Sequence, residues 1–221
     1  VRQALAMAID RDAMIKTINF GVGEPATTFR PRGSLYYNDQ LIGWPYNIEK
    51  AKQLLAEAGY PNGFKTTLQI MTGNNSALQI ATMLQAFWKQ VGVTLEVEPL
   101  EAGLYDDNYY NNAFEIQLNN WTDDIPDPSE GTTYGIVYKS SESFHTGFNN
   151  EEVNKLSDDS MKETDPEKRK AMYFRMQEIF NEQVPYIPMW HEPLLVIARA
   201  GVENFHQTSL GTYIWRDLDK K

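Results

Sequence analysis

A chain of 221 residues has room for one substantial domain or one and a half. With 42% hydrophobic and 23% charged residues it has the makings of a packed core, which excludes a disordered chain. Lys and Arg number 20 against 30 Asp and Glu, a formal net charge of −10 that repels phosphate backbones and anionic lipid, so nucleic acid is not an expected partner.

Residues 1–20 carry helical spacing. Leu5, Ala8 and Ile9 share a face, and Asp10 breaks the run and is placed to cap a second short helix holding Met14, Ile15 and Ile18. The chain opens within an element, at Val1-Arg2-Gln3 without Met or a signal peptide, which points to a fragment of something longer. Residues 21–46 read as a loop broken by Gly21, Gly23, Pro25, Pro31, Gly33 and Gly43, with aromatic residues between them. A loop of that length is functional or pinned to a neighbour.

Asn47 is placed to cap a helix with Ala51, Leu54, Leu55 and Ala58 inward, and Gly59 to stop it. Residues 65–72 alternate as a strand, with Leu68 and Ile70 on one side. Ser76 predicts the start of a helix over 77–91, its stripe being Ile80, Met83, Leu84, Phe87 and Val91. Residues 93–100 alternate Val93, Leu95 and Val97 with polar residues, a second strand with one solvated face. A short helix over 102–111 and a third strand over 114–121, with Phe114, Ile116 and Leu118 inward, complete the pattern of an open α/β sheet. Residues 122–150 read as mostly irregular. Helices follow over 151–161 and from Asp165-Pro166 to about Gln183, the latter with Met172, Met176, Ile179 and Phe180 buried. Residues 194–198 predict a strand, and 201–221 a tail of short pieces.

No cysteine is present, which removes disulfides, thiolate nucleophiles and thiolate metal sites and is neutral about compartment. No apolar run approaches the roughly 18 residues needed to cross a bilayer. His145, His191 and His206 show no metal spacing, so no metal or cofactor is expected. Arg30 and Arg32 flank Pro31 and read as solvated loop arginines, with reach to an anionic ligand group as the less common alternative.

An ordered series of short runs resembles family 5 of the extracellular solute-binding proteins. It comprises Val1-Arg2-Gln3-Ala4-Leu5 with Ala8-Ile9-Asp10-Arg11, Pro25-Ala26 followed by Pro31, the helix from Lys50 through Gly59-Tyr60, Leu84-Gln85 with Gly92-Val93, Arg169, Gln177-Glu178-Ile179, and Pro185-Tyr186-Ile187-Pro188. The resemblance implies the ligand receptor of a bacterial ABC importer for dipeptides, oligopeptides, nickel complexes or oligosaccharides. Such a receptor is periplasmic or extracellular, envelope-associated or a lipoprotein, and not an enzyme. It implies a two-lobed clamshell of the periplasmic-binding-protein type II class, more than twice this length. Residues 1–197 would be the C-terminal ligand-binding lobe, with an open mixed or parallel sheet flanked by helices, and 198–221 would return to the missing N-terminal lobe. A membrane permease would be its partner.

The candidate site is Asn120-Trp121-Thr122-Asp123-Asp124 with Asp127, directly beyond the third strand, where ligands of open α/β sheets bind. In peptide-binding members of the family a Trp is followed three residues later by an Asp that pairs with the ligand's ammonium group, and Trp121 and Asp124 match that spacing. An exposed capped turn leading into a helix at Pro128 accounts for the same acids. A calcium loop fits poorly, lacking the alternating ligands and central Gly. Residues 71–83 hold no Lys or Arg, which departs from the dipeptide-binding pattern of a cation clamping the ligand carboxylate. A hydrolase using two of Asp123, Asp124 and Asp127 is the reading from another class, with no nucleophile, phosphate-loop or metal motif to support it.

Overall fold

The computed structural model describes residues 1–139, 144–193, 195–208 and 210–220. It opens with α1 (Arg2–Met7) and α2 (Arg11–Ile18), and the Asp10 carboxylate accepts the Ala13 N–H at 2.9 Å as the cap of the second. Arg11, buried at the start of α2, donates to the carbonyls of Ala6, Trp44 and Pro188 and so joins three distant stretches of chain. In the long loop, β1 (Glu24–Pro25) pairs antiparallel with Trp190 and His191.

α3 (Ile48–Glu57) is capped by Asn47 through the Lys50 N–H. Then come β2 (Lys65–Met71), α4 (Asn75–Lys89), β3 (Thr94–Leu100), α5 (Ala102–Tyr110) and β4 (Ile116–Gln117). The sheet order is β3-β2-β4 and both pairings are parallel, with Leu68 opposite Val97 on one side and Ile116 on the other. The first strand is therefore central, and the strand order reverses at it. One face of β2 offers Leu68 and Ile70, which pack with Ala77, Ala81, Leu84 and Trp88 of α4. The other offers Gln69, whose Oε1 accepts from Asn108 of α5 at 3.3 Å and from Gln117 at 2.9 Å. This is the expected α/β sheet with helices on both faces.

Two boundaries moved. α4 starts earlier than expected, capped by Asn74 instead of Ser76. Its stripe is turned toward Trp88, whose indole N–H reaches the Leu5 carbonyl, so Ile80, Met83 and Phe87 become half-buried flanks. The third strand was expected over 114–121 but pairs only at Ile116 and Gln117. Side chains take the neighbouring bonds: Glu115 accepts from the Thr67 N–H at 2.7 Å and the Thr66 hydroxyl at 2.9 Å, and the Tyr105 hydroxyl donates to the Leu118 carbonyl.

The stretch expected to be irregular holds a helix, α6 (Ser129–Ile136); residues 140–143 of that stretch lie outside the described residues. α7 (Glu151–Ser160) and α8 (Pro166–Gln183) follow, capped by Asn150 and Asp165. A second core gathers Tyr173, Met176, Ile179 and Phe180 of α8 with Trp44, Ile136 and Val153. Tyr173 takes the buried place expected of Met172, which is half-exposed. Val184 ends α8 in the left-handed region at φ 47°, and Arg2 and Gln3 donate to the carbonyls of residues 182–184, capping that end.

The long loop is pinned to α8. Buried Gln177 donates to the Tyr36 carbonyl at 2.8 Å and accepts the Asn38 N–H at 3.1 Å, while Asn181 donates to the Thr27 carbonyl at 2.9 Å. β5 (Trp190–His191) completes the pairing with β1. The strand expected at 194–198 is absent over 195–198, and Leu194 lies outside the described residues. In the tail, β6 (Val202–Glu203) pairs antiparallel with β9 (Asp219–Lys220), and β7 (His206–Gln207) with β8 (Tyr213–Ile214); Ser209 and Lys221 are outside the described residues.

Candidate functional site

β4 delivers the chain to the carboxyl edge of the sheet beside the central strand, and residues 119–130 run on from there. Trp121 is 44% exposed and its ring packs against Tyr134 of α6 at 5.1 Å and Phe144 at 5.2 Å. Its indole N–H donates to Asp123 Oδ1 at 2.9 Å. Asp123 Oδ2 accepts from Arg30 Nη1 at 2.8 Å, an ion pair in which the arginine side chain is 4% exposed. Arg30 is thus a buried residue, contrary to its reading as a solvated loop arginine. Arg32 pairs with Glu24 on the surface.

Two further acids of the segment hold the loop itself. Asp127 receives both guanidinium nitrogens of Arg169 at 2.8 Å, a fork that also stacks near Tyr36 and Tyr173, and accepts the Ser129 N–H at 2.9 Å. The Arg169 hydrogen bonds, partly opposed by burial, bring the Asp127 carboxyl down to about 2. Glu130 reaches back from α6 to accept the N–H groups of Asp124 at 2.7 Å and Ile125 at 2.9 Å. Asp124 differs from these three. Its side chain is exposed and has no hydrogen-bond or ion-pair partner among the described residues. Asn120 and Thr122 are exposed beside it.

The family model described as bacterial extracellular solute-binding proteins, family 5, middle region, matches residues 1–143. The chain belongs to family 5 of the bacterial extracellular solute-binding proteins. Heme-binding protein A of Haemophilus influenzae is 32% identical over 216 residues, which cover 96% of this chain and 40% of that protein. Di/tripeptide-binding protein 1 of Pseudomonas aeruginosa is 31% identical over 217 residues, with 96% and 40% covered. A periplasmic binding protein of Helicobacter pylori associated with an ABC transporter, solved with the peptide STSA, superposes with a TM-score of 0.80 at 28% identity over 86% of this chain and 38% of its own. The family 5 chain therefore spans about 40% of the length of the curated relatives it matches.

Within this family 5 chain, the structure brings Trp121 and Asp123 into contact, sends Asp127 to α8, and leaves Asp124 facing solvent. The partners of the acids were missed. Arg30 stands 93 residues before Asp123 and Arg169 stands 42 after Asp127, so no local spacing links them. Two glycines did carry a signal. A Cβ on Gly131 of α6 would lie 2.8 Å from Asp123 Oδ1, and one on Gly135 would lie 3.0 Å from the Tyr186 hydroxyl. Burial, and after it the Asp123 charge, push the Tyr186 hydroxyl above its ordinary pKa. His191 lies against the Thr28 carbonyl, with burial lowering its pKa, and His206 is exposed. A shallow groove on α7, lined by Tyr138, Asn149, Lys155 and Asp158, involves none of the predicted site residues. Among the described residues no group of three or more His, Asp or Glu is placed to hold a metal ion, and no helix is long and apolar enough to cross a membrane.

Proposed function

We propose that the whole protein containing this family 5 chain is the solute-capturing receptor of an ABC importer, outside the cytoplasmic membrane, and that it binds its solute without transforming it. The solute is peptide-like, with its ammonium end set against Asp124 and its first residues along Trp121. One observation carries this reading. Of the four acids between Asp123 and Glu130, three are committed inside the chain and Asp124 alone is free among the described residues. A carboxylate held by its backbone on a fixed loop, beside an exposed indole, suits a single cationic group. Relatives named for peptides support the choice of solute. The same arrangement argues against a carboxylate-pair hydrolase, because Asp123 and Asp127 are occupied by arginines.

In this reading residues 1–197 form one lobe and the segment from 198 onward docks on the other. Ile197 at 99% exposed, with exposed Leu195 and Trp215, is apolar surface awaiting a cover of that kind. Closure of the lobes on the solute would present the loaded receptor to a membrane permease.

The test uses the full-length protein and the tetrapeptide STSA in calorimetry. Asp124→Ala is expected to weaken binding by roughly tenfold to a hundredfold, the range for a hydrogen bond to a charged group. Unchanged affinity removes Asp124 from the site. The relative named for heme supplies the second arm: a melting temperature raised by hemin and not by STSA would replace the peptide reading with a porphyrin one.

A further inference from the structure

Asp123 stands next to the free carboxylate, yet its geometry assigns it a different task. Its two oxygens are divided between Trp121 Nε1 at 2.9 Å and Arg30 Nη1 at 2.8 Å. The Arg30 side chain is 4% exposed and that of Asp123 19%, so the pair is fixed in the protein and the indole is fixed to the pair. Tyr134 and Phe144 flank the ring, and the remaining 44% of Trp121 stays open to solvent.

α6 is shaped to receive this pair. Glycine in a helix interior costs about 1 kcal/mol relative to alanine, and Gly131 adopts no left-handed backbone that would call for it. Its position requires empty space: a Cβ there would lie 2.8 Å from Asp123 Oδ1 and 3.4 Å from Arg30 Nη1. Arg30 Nε, in contrast, is buried without a hydrogen-bond partner, so the Nη1 contact to Asp123 is the guanidinium's anchor among the described residues.

We propose that Asp123 and Arg30 are positioning residues for Trp121: the ion pair accepts the indole N–H and sets the plane of the ring that meets the solute, while Arg30 neutralises Asp123 and leaves Asp124 as the segment's acid without a partner among the described residues. This rests on the reading of Trp121 and Asp124 as the solute site. Asp123 acts through the indole and not by touching solute.

The experiment separates the two ideas. In the full-length protein labelled with nitrogen-15, the Trp121 indole signal is identified by its loss in Trp121→Phe. Removing Asp123 alone strands a buried cation and endangers folding, so two double variants are compared, Arg30→Met with Asp123→Ala and Arg30→Met with Asp123→Asn. The asparagine variant keeps an oxygen for the indole N–H, and its signal and STSA affinity are expected to stay near those of the wild type. In the alanine variant the signal is expected to shift and to exchange faster with water, and STSA affinity to fall about tenfold with Asp124 untouched. Gly131→Ala, which presses on the carboxylate from α6, is expected to shift the same signal. An unmoved indole signal in the alanine variant overturns the proposal, as does a moved signal with unchanged STSA affinity. If the wild type does not bind STSA, the peptide reading fails by itself, and the indole signal alone then decides whether the pair positions Trp121.

Discussion

The sheet unit from α3 to β4 and the paired segments 21–46 and 122–136 are held by different balances of forces. The sheet unit is held by apolar burial: Leu55, Leu68, Ala81, Leu84 and Trp88 close one core at the spacings of their own helices and strands. The other two segments lend Trp44 and Ile136 to the second core, and between those anchors they are tied by polar side chains that reach across the sequence, Gln177 and Asn181 to the long loop, Arg30 to Asp123 and Arg169 to Asp127. Apolar burial is non-directional and tolerates adjustment. Hydrogen bonds and ion pairs fix direction as well as distance. The rigid frame is thus built by the first means and the orientation of the candidate site by the second.

Substitutions on the two sides of this divide should differ in size. Leu68→Ala in the sheet core is expected to cost about 3 kcal/mol in urea unfolding, through lost burial and the cavity left behind. Gln177→Leu is expected to cost about 2 kcal/mol, because it strands the Asn38 N–H and the Tyr36 carbonyl. If that cost matched Leu68→Ala, the loop would be part of the core and the division would be false. Asp127→Ala, at a partly exposed ion pair, is expected to cost about 1 kcal/mol. Its pH dependence sharpens the point. The folded carboxyl lies near 2, below its ordinary 3.8, so its contribution is full above about pH 4 and is lost as pH falls through about 2. The wild type should lose more stability over that window than Asp127→Ala. Asp124→Ala is expected to shift stability by no more than about 0.5 kcal/mol; a larger loss would give that carboxylate a structural partner and withdraw it from solute binding.

The same division governs what could be read from the sequence. α3, α4, α7 and α8 were legible within a few residues because each buries a periodic stripe and begins at a capping side chain such as Asn47 or Asp165, and β2 and β3 because their apolar residues alternate; α5 was legible without either signal, having no buried residue and no side-chain cap. α6 was anticipated only as a start at Pro128, in the alternative reading of the acids; its extent was not legible, since Gly131 and Gly135 thin its apolar pattern, and their purpose appears only when Asp123 and Tyr186 are in place. β4 was overextended because Glu115 and Tyr105 satisfy backbone groups that alternation had assigned to a ladder. The run from Trp121 to Asp127 was chosen as the candidate site by its place after a strand and by resemblance to the family. The spacing from Trp121 that the family resemblance supplied singled out Asp124, but the roles of Asp123 and Asp127 needed tertiary partners, Arg30 from far earlier in the chain and Arg169 from α8.

Gln177 and Asn181 grip the long loop by main-chain atoms, the carbonyls of Tyr36 and Thr27 and the N–H of Asn38. Every amino acid carries a carbonyl, and all but proline an N–H, so these anchors are indifferent to much of what the loop spells. Its exposed positions, such as Arg32 and Leu35, can drift while the fastening survives, whereas Arg30, sunk beneath the surface and tied to Asp123, cannot.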